Sequence, residues 1–397
     1  MPKEKTKVKR ETSLAKVTQS GRLKATERAN HGRLVVSECL PSSGNACSSV
    51  AKGSTTKALN EPSYRKSLNF FVPVFDRENR PLMPTKLPRA LKWAKENKAT
   101  PFYKKGLLCV RLNVEPSARE TQDISVGVDP GSKEEGFSVK SEAHTFWNFQ
   151  AAAVTWVKDA VETRRNMRRT RTNRNTPCRK PKHIQGRSMP PSTRARWQWK
   201  LRVIKWIDSL IPSSIKVIED IKAQTKGQRK WDKSFSPLEV GKQWFYTQLG
   251  TPELKQGWET KELRDSLGLK KNYRKRSRNF NTHCVDSWVL ANWMVGGHVK
   301  PDNTSVIYLT PLRLHRRQLH RLQATQGVRK PYGGTRSMGL KRGSLVKHPK
   351  YALCYVGGTM DGKVSLHSIQ DGHRLTQNAK VEDCRFRTYG SWRTNYV

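Results

Sequence analysis

Acidic residues are scarce in this 397-residue chain: 32 Asp and Glu stand against 77 Lys and Arg, for a formal net charge of +45. A surplus of that size opposes compaction by self-repulsion unless a polyanion neutralises it, so nucleic acid is the obvious partner. A ribosomal-type scaffold or an anionic membrane surface is the blander alternative. Long apolar runs are missing too: no stretch of about 18 uninterrupted apolar residues occurs, which excludes a transmembrane helix. The seven cysteines, at 39, 47, 109, 178, 284, 354 and 384, are scattered, odd in number and without a C-x-x-C pair. Both a disulfide framework and a zinc knuckle are thereby disfavoured, and a reducing compartment fits best.

Residues 1–65 contain a single aromatic, Tyr64, amid Lys, Ser, Thr and Gly. Such a segment buries too little apolar surface to offset its ordering entropy, and it reads as a disordered basic extension. Its opening, MPKEKTKVKR, has no apolar core of a secretory signal. Early lysines and glutamates are also atypical of an organellar transit peptide. A basic nucleic-acid tail and a start codon placed too early are the other readings.

From Phe70 the pattern changes. FFVPVFDRENRPLMPTKLPRALKWAKENKATPFYKKGLLCVRL reads as strand, turn, short helix and strand, a small basic module within 66–115. ISVGVD, GFSVK and HTFWNFQ read as three successive strands separated by turn residues. A long helix is expected over 151–174, apolar in its first half and full of arginine in its second. After a proline-rich linker, RARWQWKLRVIKWIDSL places Trp197, Leu201, Ile204 and Leu210 on one helical face. A short strand, IKVIED, a helix over 236–249 and a last helix in THCVDSWVLANWMV follow. Three strands, helix, strand, helix and a terminal helix is the order of an RNase H-like α/β domain. Beyond residue 300, RGSLVKH, YALCYVGGTM and KVSLHSI are short strands spaced by Gly and Lys, as in a small β-barrel.

In such a domain the chemistry belongs on acids at the ends of the first and fourth strands and on the last helix. Asp129 ends ISVGVD, Glu219 ends IKVIE, and Asp286 lies in NTHCVDSW with His283 three residues earlier on the same helical face. Each has a plainer reading when taken singly: a turn before Pro-Gly, a solvent-facing strand end, a helix cap. Their joint occurrence, in order and in so basic a chain, favours a metal site. Two magnesium ions, or manganese in their place, held by Asp129, Glu219 and Asp286 would clamp the attacking and leaving oxygens of a phosphodiester. A histidine beside them can position water or shuttle a proton.

Carboxylates are absent from Thr163 to Lys200, a stretch with 13 basic residues. Solvated helices ordinarily mix both signs. Here Arg164, Arg165, Arg168, Arg169, Arg171 and Arg174 wrap a helix, so that opposite faces can grip phosphates of different strands through planar, bidentate guanidinium groups. The alternative is a disordered basic linker. Trp197, Trp199 and Trp206 read as helix packing rather than base stacking. His315 and His320 lack the spacing of a metal pair, and Cys284 reads as a small buried helix residue.

PLMPTKLPRALKWAKENKA, GVDPGSK, the arginine-rich helix, VIEDI and HCVDSW resemble, in this order, the transposon-encoded IscB family of RNA-guided nucleases, from about residue 70 to 397. The HNH nuclease that IscB proteins carry is missing: only 63 residues separate Glu219 from His283, and none is histidine. The chain is therefore similar to the shorter, HNH-less IsrB-like members. The resemblance implies a PLMP module at 66–115 and a RuvC-type nuclease split into segments at 120–150, 201–250 and 251–299. It further implies an arginine-rich bridge helix and linker at 151–200, and a domain at 300–397 that helps read a motif flanking the target. Asp129, Glu219, His283 and Asp286 would nick the non-target strand. The arginines would grip a structured guide RNA or its heteroduplex with double-stranded target DNA. Lys261 and Arg264, in a strand–loop at 260–271, would contact the backbone. The protein would act as a monomer within a ribonucleoprotein, with no membrane partner. Its place would be a bacterial cytoplasm open to the nucleoid, or an organelle if 1–65 is a transit peptide. A structure-selective DNA junction resolvase and a domesticated, non-catalytic RNA-binding protein are the rivals. Copurifying RNA argues against the first, and intact acids argue against the second.

Overall fold

Residues 124–129 alternate Ile, Val and Val with Ser, Gly and Asp, a two-residue period that gives one strand two different faces. The computed structural model describes residues 70–175, 189, 191–220, 238–239, 241–275, 277–312, 336–360 and 362–396. The extension expected over 1–65, most of the linker after Asn175, the start of the helix expected from 236, and the segment with His315 and His320 lie outside the described residues.

The first four strands are β1 (Phe71–Phe75), β2 (Pro81–Lys86), β3 (Ala99–Lys104) and β4 (Leu107–Leu112). They form one sheet in the order β2-β1-β4-β3, with α1 (Leu87–Lys95) joining β2 to β3. The module thus has two strands beyond those legible in the sequence. Both carry proline, at 81, 84 and 101, and both are edge strands, where a missing ladder N–H is tolerated.

A meander of β5 (Ile124–Asp129), β6 (Glu134–Ser141) and β7 (Thr145–Ala152) starts the central sheet. Next to β5 lies β8 (Ile215–Asp220), in parallel, and next to β8 lies β9 (Glu253–Gln256), again parallel. Beyond β7, β10 (Val306–Pro311) runs parallel and β18 (Trp392–Tyr396) pairs antiparallel with it. The seven-stranded order is β18-β10-β7-β6-β5-β8-β9. The segment expected as a separate domain at 300–397 therefore contributes its first and last strands to the central sheet. Its middle holds a two-stranded ribbon, β11 (Arg336–Ser337) and β12 (Leu340–Lys341). It also holds five further strands: β13 (Ser344–His348), β14 (Ala352–Met360), β15 (Lys363–His367), β16 (Arg374–Ala379) and β17 (Arg385–Tyr389). These five form a sheet in the order β16-β15-β14-β13-β17, and no pairing joins β16 to β17. The sheet is open, not the small barrel expected from its strand spacing.

The remaining helices are α2 (Trp156–Asn173), α3 (Pro191–Asp208), α4 (Lys242–Leu249), α5 (Gly257–Ser266) and α6 (Val285–Val295). A π-turn, Phe280–Cys284, leads into α6. Two boundaries differ from expectation. Strand β7 runs through Ala152, so the apolar AAAV belongs to the strand and its exit rather than to a helix. Residues 260–271, expected as a strand–loop, contain most of α5, which starts on a capping box between Gln256 and Glu259. No described helix is long and apolar enough to cross a membrane.

The two faces of the central sheet are covered differently. Ile124, Val126, Val128, Phe137 and Val139 share a core with α3, whose Trp197, Leu201 and Ile204 are buried, as is Leu210 just beyond it. Trp206 packs on Phe149 and Trp392, with ring centroids 5.2 and 5.3 Å away, and Trp197 stacks on Phe245 at 4.7 Å. Burial of such side chains contributes about 1.5–3 kcal/mol each, and these tryptophans serve packing. On the other face lies α6, so close that only small residues fit beneath it. A Cβ on Gly127 would sit 1.9 Å from the Ser287 carbonyl oxygen, and one on Gly136 would sit 2.1 Å from that of His283. Ser138 Oγ lies 2.9 Å from Ser287 Oγ, tying strand to helix. That close approach delivers the start of α6 to the end of β5.

Candidate active site

Parallel pairing aligns Gly127 with Val217 and Val128 with Ile218, and one more step brings Asp129 level with Glu219. Both point to the α6 face, because each is two residues from a small or apolar residue on that face. Asp286 enters from the first turn of α6 and is buried, 3 % exposed. Carboxylate oxygens of Asp129, Glu219 and Asp286 all lie within 4.8 Å of one another. Gly257 at the start of α5 leaves room for Glu219: a Cβ there would be 2.9 Å from Oε1.

Three carboxylates so close repel one another, and cations relieve part of that repulsion. Arg264 Nη1 donates to Asp286 Oδ1 at 2.7 Å, and Lys271 Nζ donates to Asp286 Oδ2. Lys271 Nζ also lies 3.6 Å from Asp129 Oδ2. Burial opposes the charge of Lys271, but Asp129 and Asp286 beside it hold its pKa above the ordinary value. The acids shift the opposite way. Burial raises Asp129, and Asp286 adds to the rise while Lys271 opposes it. Burial, followed by repulsion from Asp129 and Asp286, pushes Glu219 up to about 8. A site that holds carboxylates this close, with oxygen donors only, fits a hard divalent cation.

His283 sits in the π-turn, its Nδ1 4.0 Å from Asp129 Oδ2. Its Nε2 faces the Lys275 carbonyl at 3.1 Å, and since a carbonyl only accepts, Nε2 carries the proton. Nδ1 is therefore the atom turned toward the acids. All four residues singled out in the sequence are brought together.

Several neighbours carried no sequence signal. Glu134, two residues before Gly136 on the same face of β6, accepts from the Tyr308 hydroxyl at 2.9 Å, and Arg278 lies 4.1 Å from the Tyr308 ring centre. Burial raises the pKa of Glu134. Lys271 was visible only as one basic residue among many. Arg264, expected to contact a nucleic-acid backbone, is committed to Asp286 instead, whereas Lys261 on the same helix is exposed. Cys284 is fully buried, as expected.

Helix α2 is the other unusual element. Its one buried residue is Val157, and every residue from 161 to 175 is exposed. Among the described residues, no ion pair engages Arg165, Arg168, Arg169, Arg171 or Arg174, and Arg164 Nε donates to the Ala160 carbonyl. A helix that buries so little and carries so many cations presents a strongly positive surface.

The described residues thus hold two unusual features, an acidic centre at the ends of neighbouring strands that could bind metal ions and a helix covered in arginine. Residues 72–231 match the family model described as RRXRR protein. That segment spans β1 to β8 and includes Asp129, Glu219 and all of α2. No curated protein matches the chain.

The raised Glu219 pKa sets a measurable pH dependence. Its folded value lies above the ordinary 4.5, so the folded state favours the proton, and stability is lost as pH rises from 4.5 to about 8. In chelator, Glu219→Gln should therefore gain stability over wild type by up to about 1.4 kcal/mol per pH unit across that window. Urea unfolding at pH 5, 6.5 and 8 reads the gain. A difference that does not change with pH would show that Glu219 ionises without penalty.

Proposed function

We propose that this chain is a divalent-metal-dependent endodeoxyribonuclease that nicks one DNA strand at a site chosen by a bound RNA, in the manner of the HNH-less IsrB-like members of the IscB group. The observation that carries the proposal is the convergence of Asp129, Glu219 and Asp286 within 4.8 Å on the face reached by His283. The strand order β7-β6-β5-β8-β9 supports an RNase H-like, RuvC-type domain. The matched RRXRR family, found in transposon-associated nucleases, supports the same reading.

Divalent cations at the carboxylates would supply charge neutralisation at the scissile phosphate and an acidified water, with magnesium the expected ion. The residues divide the remaining work. Asp129, Glu219 and Asp286 supply the oxygen ligands. His283 Nδ1 is placed to orient the attacking water or take its proton. The arginines of α2 hold the phosphates of the guide RNA or of its heteroduplex with DNA, and sequence choice is left to base pairing.

The test is to express the chain together with DNA flanking its gene, purify it and sequence the RNA that comes with it. One abundant RNA with a variable end of guide length, and nicking of a supercoiled plasmid carrying the matching target in magnesium, are the expected results. A mixed RNA population and an intact plasmid would overturn the proposal. Cleavage of four-way junctions without RNA would replace it with the resolvase reading.

A further inference from the structure

Apart from the acidic centre, a cleft of about 580 Å³ opens where the β3–β4 turn meets α3. Gln198, Arg202 and Lys205 recur at helical spacing and form one stripe of α3 that Ser209 continues just past its end, while Val203, Ile204 and Ile207 turn into the core. Lys104 and Lys105 come from the turn. Four basic side chains and no carboxylate line the cleft, and among the described residues none of the four is in an ion pair.

The two lysines of the turn are held in place. Lys105 has φ 52° and Gly106 φ 91°, and a Cβ on Gly106 would lie 2.8 Å from Thr394 Oγ1. Thr394 Oγ1 donates to the Lys105 carbonyl at 3.0 Å, and the Tyr396 hydroxyl donates to that of Gly106 at 3.3 Å. Lys104 Nζ donates to the Ser209 carbonyl at 2.7 Å, and Lys105 Nζ sits 4.6 Å from the centre of the Trp392 ring. Burial lowers the pKa of both lysines, and for Lys105 the repulsion of Arg202 and Lys104 carries it to about 8. Trp206 also lines the cleft. It is 2 % exposed, and its indole N–H has no acceptor.

Clustered cations that repel one another, with no carboxylate among them, call for an anion with several acceptor oxygens. Trp206 offers no open ring face for a base to stack on, so the recognisable chemistry is the phosphodiester backbone. We propose that this cleft seats one or two backbone phosphates of a nucleic-acid strand, through Lys105, Arg202 and Lys205. The proposal rests on reading the chain as a nucleic-acid-binding protein, and it adds a contact separate from α2 and from the acids.

Fluorescence anisotropy of the full chain with labelled single-stranded RNA and DNA of one sequence, in chelator over a series of salt concentrations, tests it. The cleft variant is Arg202→Glu/Lys205→Glu, two exposed positions on α3. The control is Lys92→Glu/Lys95→Glu, two exposed positions on α1 with the same change in charge. The cleft variant should bind at least about 10-fold more weakly, with the slope of log K against log salt reduced by about 1.4, and the control should change little. The neutral pair Arg202→Gln/Lys205→Gln should lose affinity in the same direction with its thermal unfolding unchanged, which separates lost contacts from misfolding. Equal losses with both probes support a backbone site indifferent to the sugar, and a loss confined to RNA supports an RNA strand as the occupant. Equal losses in cleft and control variants, or none in either, would overturn it. The assay contains no guide, target or divalent metal, so a chain that never nicks DNA can still pass it, and one that nicks can fail.

Discussion

Substituting Asp129→Asn is expected to lower magnesium-dependent nicking by about 10³-fold or more, equivalent to at least about 4 kcal/mol of transition-state stabilisation. Nucleic-acid affinity measured in chelator should stay within about twofold, because the proposed backbone contacts are basic side chains of α2 and of the cleft, not the acids. The split between the two readouts is what makes the prediction specific. Asp129 lies in the centre of the constellation: it is level with Glu219 across β5 and β8, 3.6 Å from Lys271 and 4.0 Å from His283. Removing its charge takes away a ligand and one source of the repulsion that raises Glu219, so Glu219 should titrate lower in the variant. His283→Ala should lose less, about 10²-fold, because its side chain orients water or carries a proton and is not among the oxygen ligands. Full nicking by Asp129→Asn in magnesium would sink the active-site assignment.

The sequence and structure agree where the signal is local and part where it is not. Asp129 and Glu219 were legible because each ends a short apolar strand, and Asp286 because it begins an apolar helix three residues after a histidine. Their convergence depends on Gly127 and Gly136, which let α6 press on the sheet. A glycine two residues before an aspartate reads in sequence only as a flexible position, and the close approach that needs it is tertiary. The pairing of Arg264 and Lys271 with Asp286 was hidden for the opposite reason. In a chain with 77 basic residues, two that pair with an acid have no mark that separates them from those that face a polyanion. The outer strands β10 and β18 were read as part of a C-terminal domain because neither has a neighbour in sequence that pairs with it. Strand β10 pairs with β7 across 158 residues, and only the folded sheet discloses it. The expected barrel failed on the same ground, since strand spacing gives the number of strands and not whether the first meets the last.

Lys200→Met is expected to destabilise the protein increasingly above pH 7, by about 2.7 kcal/mol at pH 9, and Glu135→Leu combined with it should return stability to within about 1 kcal/mol of wild type. Lys200 Nζ and Glu135 Oε1 form an ion pair at 2.7 Å with side chains 1 % and 0 % exposed, between α3 and the inner face of β6. Burial raises Glu135 to about 7 even with the lysine present. With the lysine in place Glu135 therefore ionises near pH 7, whereas without it the carboxyl stays protonated to higher pH, so variant and wild type part by about 1.4 kcal/mol for each pH unit above about 7. The penalty should therefore be small below pH 7, where Glu135 is protonated in both proteins, and grow as pH rises above it. Urea unfolding of the two variants and wild type from pH 6 to 9 follows this, and a pH-independent loss in the single variant would show that lost packing, not a buried charge, is responsible. Lys200 has a second tie that the double variant does not restore: its Nζ also donates to the Gly131 carbonyl at 3.2 Å, pinning the turn that follows Asp129. The double variant should thus recover its stability yet nick more slowly than wild type. Full recovery of both would mean that the turn holds Asp129 without help from Lys200, and that the buried pair serves the fold alone.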